Sequence, residues 1–308
     1  MDERLESYIK RLDTRLKIKY QHKTNTLIYT VNEELCVYYS QRNFTLNLLG
    51  NISHTVFKLD TNVHLDLSGC PGISASALVM LFAETSRARM AKESDEVVTF
   101  ELPQSEDEPW LHAMSLPYRR YSSLFDEDHT FQTVSDPNKA MASILKLLHK
   151  SGVKLNKLDT RTFTRGVNEA MLNVINHAYI AEENPLGGIG RRWWQACWVN
   201  KSEEQKILVY IIYDLGCGIL NSLPLAHDEE SATEHITRAM SYGVTRTNES
   251  DRGKGTKNME DATNIRDNSV LFIGTNNATY IKNQSKDATT ELNLLPFNGT
   301  LVEWQIRL

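Results

Sequence analysis

The stretch RGVNEAMLNVINHAY, Arg165 to Tyr179, decides how the second half of the chain is read. Wound as a helix, it places Val167, Met171, Val174, Ile175 and Ala178 on one apolar stripe. Glu169, Asn173 and His177 recur every fourth residue on the opposite side, so a carboxylate, a carboxamide and an imidazole stack along one face. Such a face can meet a metal and phosphates, because glutamate orients water and asparagine offers a neutral oxygen to Mg²⁺, which takes few protein ligands beside phosphates and waters. Taken alone, the pattern is better accounted for by an ordinary solvated face opposite a packed stripe.

Two later stretches reverse that preference. The strand-like run Ile207 to Tyr213 leads directly into Asp214, Gly216 and Gly218, in YDLGCGI, and Arg252, Gly253, Lys254 and Gly255 follow in RGKGTKNM. The helix with its E-x-x-x-N-x-x-x-H-A pattern resembles the N-box of the GHKL ATP-binding fold, shared by gyrase, heat-shock chaperones, MutL, histidine kinases and anti-sigma-factor serine kinases. YDLGCGI resembles that family's D-x-G-x-G box and RGKGTKNM its second glycine box, in the family's order and spacing. The resemblance spans about Asp136 to Leu308.

The resemblance implies ATP and Mg²⁺ as cofactors and a role for each matched residue. Glu169 becomes the general base or water-orienting group, and Asn173 the magnesium ligand. Asp214 reads adenine, since a carboxylate accepts from its exocyclic amine and so distinguishes it from guanine. Gly216 and Gly218 let the backbone approach the base, while Gly253 and Gly255 cradle phosphate. Arg252 and Lys254 bring positive charge to the triphosphate, as Arg246 and Lys257 do in part. His177 matches a family position, with stabilisation of the helix end as its other reading. Thr300, in NGTLVEW, resembles the G-T element near the adenine. Leu220 to Asp251 corresponds to the lid, where SYGVTRT resembles the family's sequence. Within it, Ser231 and Glu234 predict a capping box for a helix to about Tyr242, ended by Gly243.

The 308 residues have room for two domains of about 100–200 residues each. No apolar run approaches the ~20 residues needed to span a bilayer, and Met1 to Tyr20 lacks a signal-peptide core, so a cytoplasmic location and no membrane partner are expected. Cys36, Cys70, Cys197 and Cys217 form no C-x-x-C pair, which indicates reduced thiols. The formal charge is −5, with acidic residues clustered between Glu93 and Glu108 and no basic stripe, so nucleic acid is not an expected partner.

In the first half, Leu5, Ile9, Leu12 and Leu16 predict a helix within Asp2 to Lys17, and Thr26 to Val31 a strand. Val63 to Leu67, a turn at Ser68 to Gly72, a helix from Ser74 to Met90 and a strand from Val97 to Leu102 make a βαβ unit with parallel strands. The turn LDLSG and the following ISASAL resemble the STAS fold of anti-sigma-factor antagonists, over about Val63 to Tyr121. Those domains carry a phosphorylatable serine at this helix start. Matching the pattern puts Ser76 at the acceptor position, with Ser74 and Ala77 departing from the family's Asp and Gly. The other reading is that Ser74 caps the helix and Ser76 is structural.

The polar tract Tyr121 to Ser135 reads as an irregular boundary. Asp136 and Pro137 then start a helix with Met141, Ile144, Leu145 and Leu148 as its stripe and Gly152 at its end. Gly187 to Gly190 lies between a helix and a strand, the wrong context for a phosphate loop, and reads as a connecting turn. Trp193 to Val199 and Ile207 to Tyr213 predict a hairpin, with the tryptophans as core.

The expectation is therefore an α/β protein: a STAS-like domain over residues 1–130, then a GHKL (Bergerat) α/β sandwich over 131–308 with helices on one face of a mixed sheet. The resemblance implies an ATP-hydrolysing, nucleotide-dependent switch, with a protein partner or a homodimer. A protein serine kinase is the first alternative, supported by RGKGTKNME, which resembles the anti-sigma-factor kinase glycine box RxGxGxxxME. A non-hydrolysing nucleotide sensor or scaffold is the second.

Overall fold

The computed structural model describes residues 3–103, 108–179, 185–201, 206–241, 255–284 and 286–308. The chain divides into two compact units, one of Met1–Ser123 with Gly187–Ile189, the other of Leu124–Leu186 with Gly190–Leu308.

The first unit opens with a short helix α1 (Glu3–Ile9), followed by strands β1 (Lys17–Gln21) and β2 (Thr26–Thr30). Helix α2 (Arg42–Phe57) leads to β3 (Asn62–Asp66), and helix α3 (Ala75–Ala91) leads to β4 (Val98–Glu101). The sheet order is β1-β2-β3-β4: β1 is antiparallel to β2, and β2, β3 and β4 are parallel. Two parallel neighbours in sequence require crossover connections, and α2 and α3 supply them, packed against each other. Val63 and Leu65 of β3 turn to the core, while Asn62, His64 and Asp66 alternate onto the more open face. Arg89 of α3 is buried because its guanidinium donates to the carbonyls of Val98 and Leu116 and to the Tyr121 hydroxyl. Helix α4 (Glu108–Ser115) closes against α3 through Trp110, whose indole N–H donates to the Leu78 carbonyl.

The βαβ unit of the sequence reading is present. The helix expected over Asp2 to Lys17 stops at Ile9, because Leu16 packs as the lead into an edge strand instead. The sequence reading assigned no element to α2, although Phe44, Leu48, Ile52 and Val56 recur every fourth residue along it.

The second unit begins in α5 (Ser123–Asp126), continues through β5 (Phe131–Val134), and then runs into α6 (Pro137–Lys150) and α7 (Lys157–Asn173). Its sheet is completed by β6 (Trp193–Lys201) and β7 (Lys206–Asp214) and, after α8 (Ile219–Ser222), α9 (Ala232–Met240) and α10 (Gly255–Asp261), by β8 (Val270–Asn283) and β9 (Thr289–Arg307). The order is β5-β6-β7-β9-β8, and every pairing is antiparallel. This corrects the expected mixed sheet: the mixed sheet belongs to the first unit. The tract read as an irregular boundary also contains β5. Its polar residues are buried because the Gln132 amide donates to Ser143 and to the His129 carbonyl, and Gln195 donates back to Gln132.

Register shows which face carries the helices. Gln132, Gln195, Ile212 and Val302 pair in succession across four strands, as do Cys197, Tyr210 and Trp304, so all lie on one face. On that face Gln132 bonds Ser143 of α6, Tyr210 meets Phe163 of α7 edge-on, and the Trp304 indole donates to the Met259 carbonyl of α10. Trp193, Trp194 and Trp304 are fully buried core.

The caps are those expected. The Asp136 carboxylate accepts from the amides of Asn138 and Lys139, with Pro137 in the first turn, and Ser231 and Glu234 close a reciprocal capping box. The stripe of α6 is displaced from the expected one. Ala140, Ser143, Ile144, Leu147 and Leu148 are buried, whereas Leu145 is 41% exposed. Helix α9 ends at Met240, and Tyr242 and Gly243 lie outside the described residues. No described helix is long and apolar enough to cross a membrane.

Candidate functional site at the end of the central helix

Helix α7 starts at the side-chain cap of Asn156, which accepts from the Asp159 amide, and its buried face comprises Phe163, Gly166, Val167, Ala170 and Met171. From Val174 to Ala178 the helix continues as π-helical turns, with Val174 and Ala178 still buried. Such wide turns are rare and concentrate at functional sites. Glu169, Asn173 and His177 are all partly exposed, and Glu169 faces α10.

The end of this helix meets the Asp214 turn backbone to backbone. The Cys217 amide donates to the Ala178 carbonyl at 2.8 Å, and the Cys217 thiol to the His177 carbonyl at 3.4 Å. The Tyr179 hydroxyl accepts from the Leu215 amide at 3.1 Å and donates to the Arg192 carbonyl at 2.8 Å. Gly216 is required here because a β-carbon on it would collide with the Ala178 carbonyl.

Asp214 ends β7, opposite Thr300 on β9, and is 4% exposed. Its carboxylate accepts from the Gly216 amide at 2.8 Å and from the Thr300 amide. Burial pushes its pKa up to about 7, and those two amide hydrogen bonds oppose the shift. The Thr300 hydroxyl lies 3.3 Å from that of Thr275 on β8. Asp214, Gly216, Gly218 and Thr300, separated in sequence, thus converge with the backbone of His177 and Ala178 on one corner.

Glu169 belongs to a second cluster, nine residues before Ala178 and so about 14 Å along the helix. Its carboxylate accepts from the Asn258 side chain at 3.1 Å, and Gly255 at the start of α10 sits so close that a β-carbon there would be 2.6 Å from it. Asn173 lies between the two clusters on the same helix. Arg246, Arg252, Gly253 and Lys254 lie outside the described residues, as do residues 242–251 of the expected lid. Among the described residues, no group of three or more His, Cys, Asp or Glu side chains is arranged to hold a metal ion. A magnesium held mainly by phosphate oxygens does not need one.

The sequence reading missed Tyr179, Asn258, Thr275 and Asn276. The last two stand in GTNNAT, where adjacent asparagines inside a strand are a visible irregularity.

In the first unit, Ser76 is fully buried, 0% exposed, in the first turn of α3. The folded domain therefore does not offer it to a kinase. Ser74 holds the N-cap position with extended backbone, but its side chain makes no capping bond.

No protein-family model matches the chain, and no curated protein matches it in sequence.

Proposed function

We propose that the second unit binds Mg–ATP in the manner of the GHKL proteins and hydrolyses it, making the chain a nucleotide-dependent switch for a protein partner or a second copy. The observation that carries this reading is the Asp214 corner. A carboxyl group buried to the point of holding a proton near neutrality costs stability, and groups of this kind concentrate where function requires them. An adenine amine supplies a matching donor for that carboxylate.

The remaining residues fit the same ligand. Asn173 would hold magnesium, which when bound neutralises phosphate charge. Glu169, fixed by Asn258 beside Gly255, would orient the attacking water. Arg252 and Lys254 are proposed to supply positive charge to the triphosphate, and His177 to steady the helix end. The STAS resemblance makes the first unit a docking module, without phosphorylation of Ser76 in the folded state.

A second reading, protein serine kinase, is favoured by the resemblance of RGKGTKNME to the glycine box of the anti-sigma-factor kinases. Incubation with γ-labelled ATP separates the readings. Free phosphate alone supports the switch, and protein-bound label supports the kinase. Binding without either product leaves a nucleotide sensor, and absence of ATP binding overturns the GHKL reading.

A further inference from the structure

Strand β8 interrupts its pairing with β9 on both sides of Asn276. At that break Asn276 takes a left-handed backbone, φ +46°, which asparagine tolerates better than most residues. The consequence is that its carboxamide points across to the turn after Asp214 rather than along the sheet. Its Nδ2 donates to the Cys217 carbonyl at 3.0 Å, and its Oδ1 accepts from the Leu220 amide at 3.1 Å and from the Thr275 hydroxyl at 3.2 Å. Thr275, itself fully buried, accepts from the Ile219 amide at 2.9 Å.

One side chain therefore bridges residues 217 and 220, both ends of the segment containing Gly218. Gly218 has φ +80°, and a β-carbon on it would collide with the Asn276 carboxamide. The turn is held from two sides. The helix end grips it through Ala178 and Tyr179, and β8 grips it through Thr275 and Asn276.

We propose that Asn276 is a positioning residue for the nucleotide: its carboxamide fixes the backbone of Cys217 to Leu220 in the conformation that receives adenine. The proposal rests on the ATP-binding reading and adds to it a residue outside the three boxes. Loss of both bridging bonds leaves the turn to sample other conformations, and only the fraction in the competent one binds. The loss is about tenfold to thirtyfold in affinity, the worth of two ordinary hydrogen bonds. Because the bridge lies at the adenine corner, about 14 Å of helix from Glu169, the loss falls on KM rather than on kcat.

The test uses Asn276→Gly in the full chain, since glycine accepts the positive φ and removes the bridging carboxamide. Four measurements are made: amide hydrogen exchange of residues 215–222 without nucleotide, calorimetric titration with ATP and with adenosine, steady-state ATP hydrolysis, and the thermal midpoint. Expected are faster exchange confined to 215–222, a tenfold to thirtyfold loss for ATP and adenosine alike, and steady-state hydrolysis with the loss in KM. Unchanged exchange, or unchanged affinity in a variant whose exchange has risen, overturns the proposal. A variant that loses its thermal midpoint altogether is replaced by Asn276→Asp, which keeps the Oδ acceptor and removes the donor. Faster exchange at Cys217 to Leu220 in that variant supports the bridge, and wild-type exchange overturns it. A wild-type protein that binds neither ATP nor adenosine overturns the ATP-binding reading instead, and the exchange data then decide the bridge separately.

Discussion

The carbonyl oxygen of Ala178 occupies the space that a β-carbon on Gly216 would need. This contact joins the end of the central helix to the turn after β7, and it predicts the outcome of Gly216→Ala. The added methyl has backbone, not a flexible side chain, to displace. The Cys217 amide would be driven off the Ala178 carbonyl, at a cost of about 1–3 kcal/mol in stability. Urea denaturation reads that loss, and nucleotide titration should show affinity reduced at least tenfold. Wild-type affinity in a folded variant would place the nucleotide elsewhere.

Asp214→Asn tests adenine recognition directly. The carboxylate's charge-assisted acceptance is worth about 1.5–3 kcal/mol, so adenosine affinity should fall by roughly tenfold or more. A pH series sharpens the test. An amine donating to Asp214 favours its ionised form, and the carboxyl titrates at about 7. Adenosine, which has no titrating phosphate, should therefore bind about tenfold more weakly at pH 6 than at pH 8, with the dependence gone in the variant. A flat wild-type profile, or equal affinity for guanosine, removes Asp214 as the base reader.

The same carboxyl should lower stability as pH rises. In the unfolded chain it releases its proton near pH 4, while in the folded protein it keeps the proton to about pH 7. Between those values the unfolded state binds fewer protons than the folded state, so stability falls with rising pH, by a total on the order of 4 kcal/mol. Below pH 4 both states are protonated and the effect vanishes. Asp214→Asn should flatten this part of the profile and be the more stable protein at pH 8, a trade of stability for function. Urea midpoints of the two proteins converging, rather than diverging, from pH 5 to pH 8 would contradict the buried-carboxyl account.

What could be read from the sequence was local. Asp136 with Pro137 and Ser231 with Glu234 announce their helix starts because a cap is a short-range pattern, and the β6–β7 hairpin follows from two β-rich runs. Helix α2 is harder to read: Phe44, Leu48, Leu49, Ile52 and Val56 share one face, but burial extends past that stripe to Arg42, Leu46, Asn51 and Thr55, so polar and apolar residues do not separate cleanly. Strand β5 was hidden for a different reason: Gln132 and Thr133 are core residues only because distant partners satisfy them. The Asp214 corner was legible as residue types, yet its convergence with Thr300 and Asn276 depends on the register of β7, β9 and β8, which no short pattern encodes. Ser76 shows the converse, a matched motif position that packing removes from solvent.

The last prediction separates binding from chemistry along the central helix. Glu169 is held by the Asn258 amide at 3.1 Å, away from the adenine corner, so its contribution should be made in the transition state. Glu169→Ala should keep ATP affinity within about threefold while turnover falls by about 10²–10⁴. Asn258→Ala leaves the carboxylate in place but unaimed, and should lose a smaller share of turnover, about tenfold, again with affinity retained. Asn173→Ala should behave differently, losing the magnesium-dependent part of ATP binding while binding of adenosine, which carries no phosphate, persists. Titrations of ATP with and without Mg²⁺, paired with phosphate release, distinguish the three variants. If Glu169→Ala and Asn173→Ala lose binding equally, the carboxylate and the carboxamide share one structural role and the division between chemistry and magnesium is wrong.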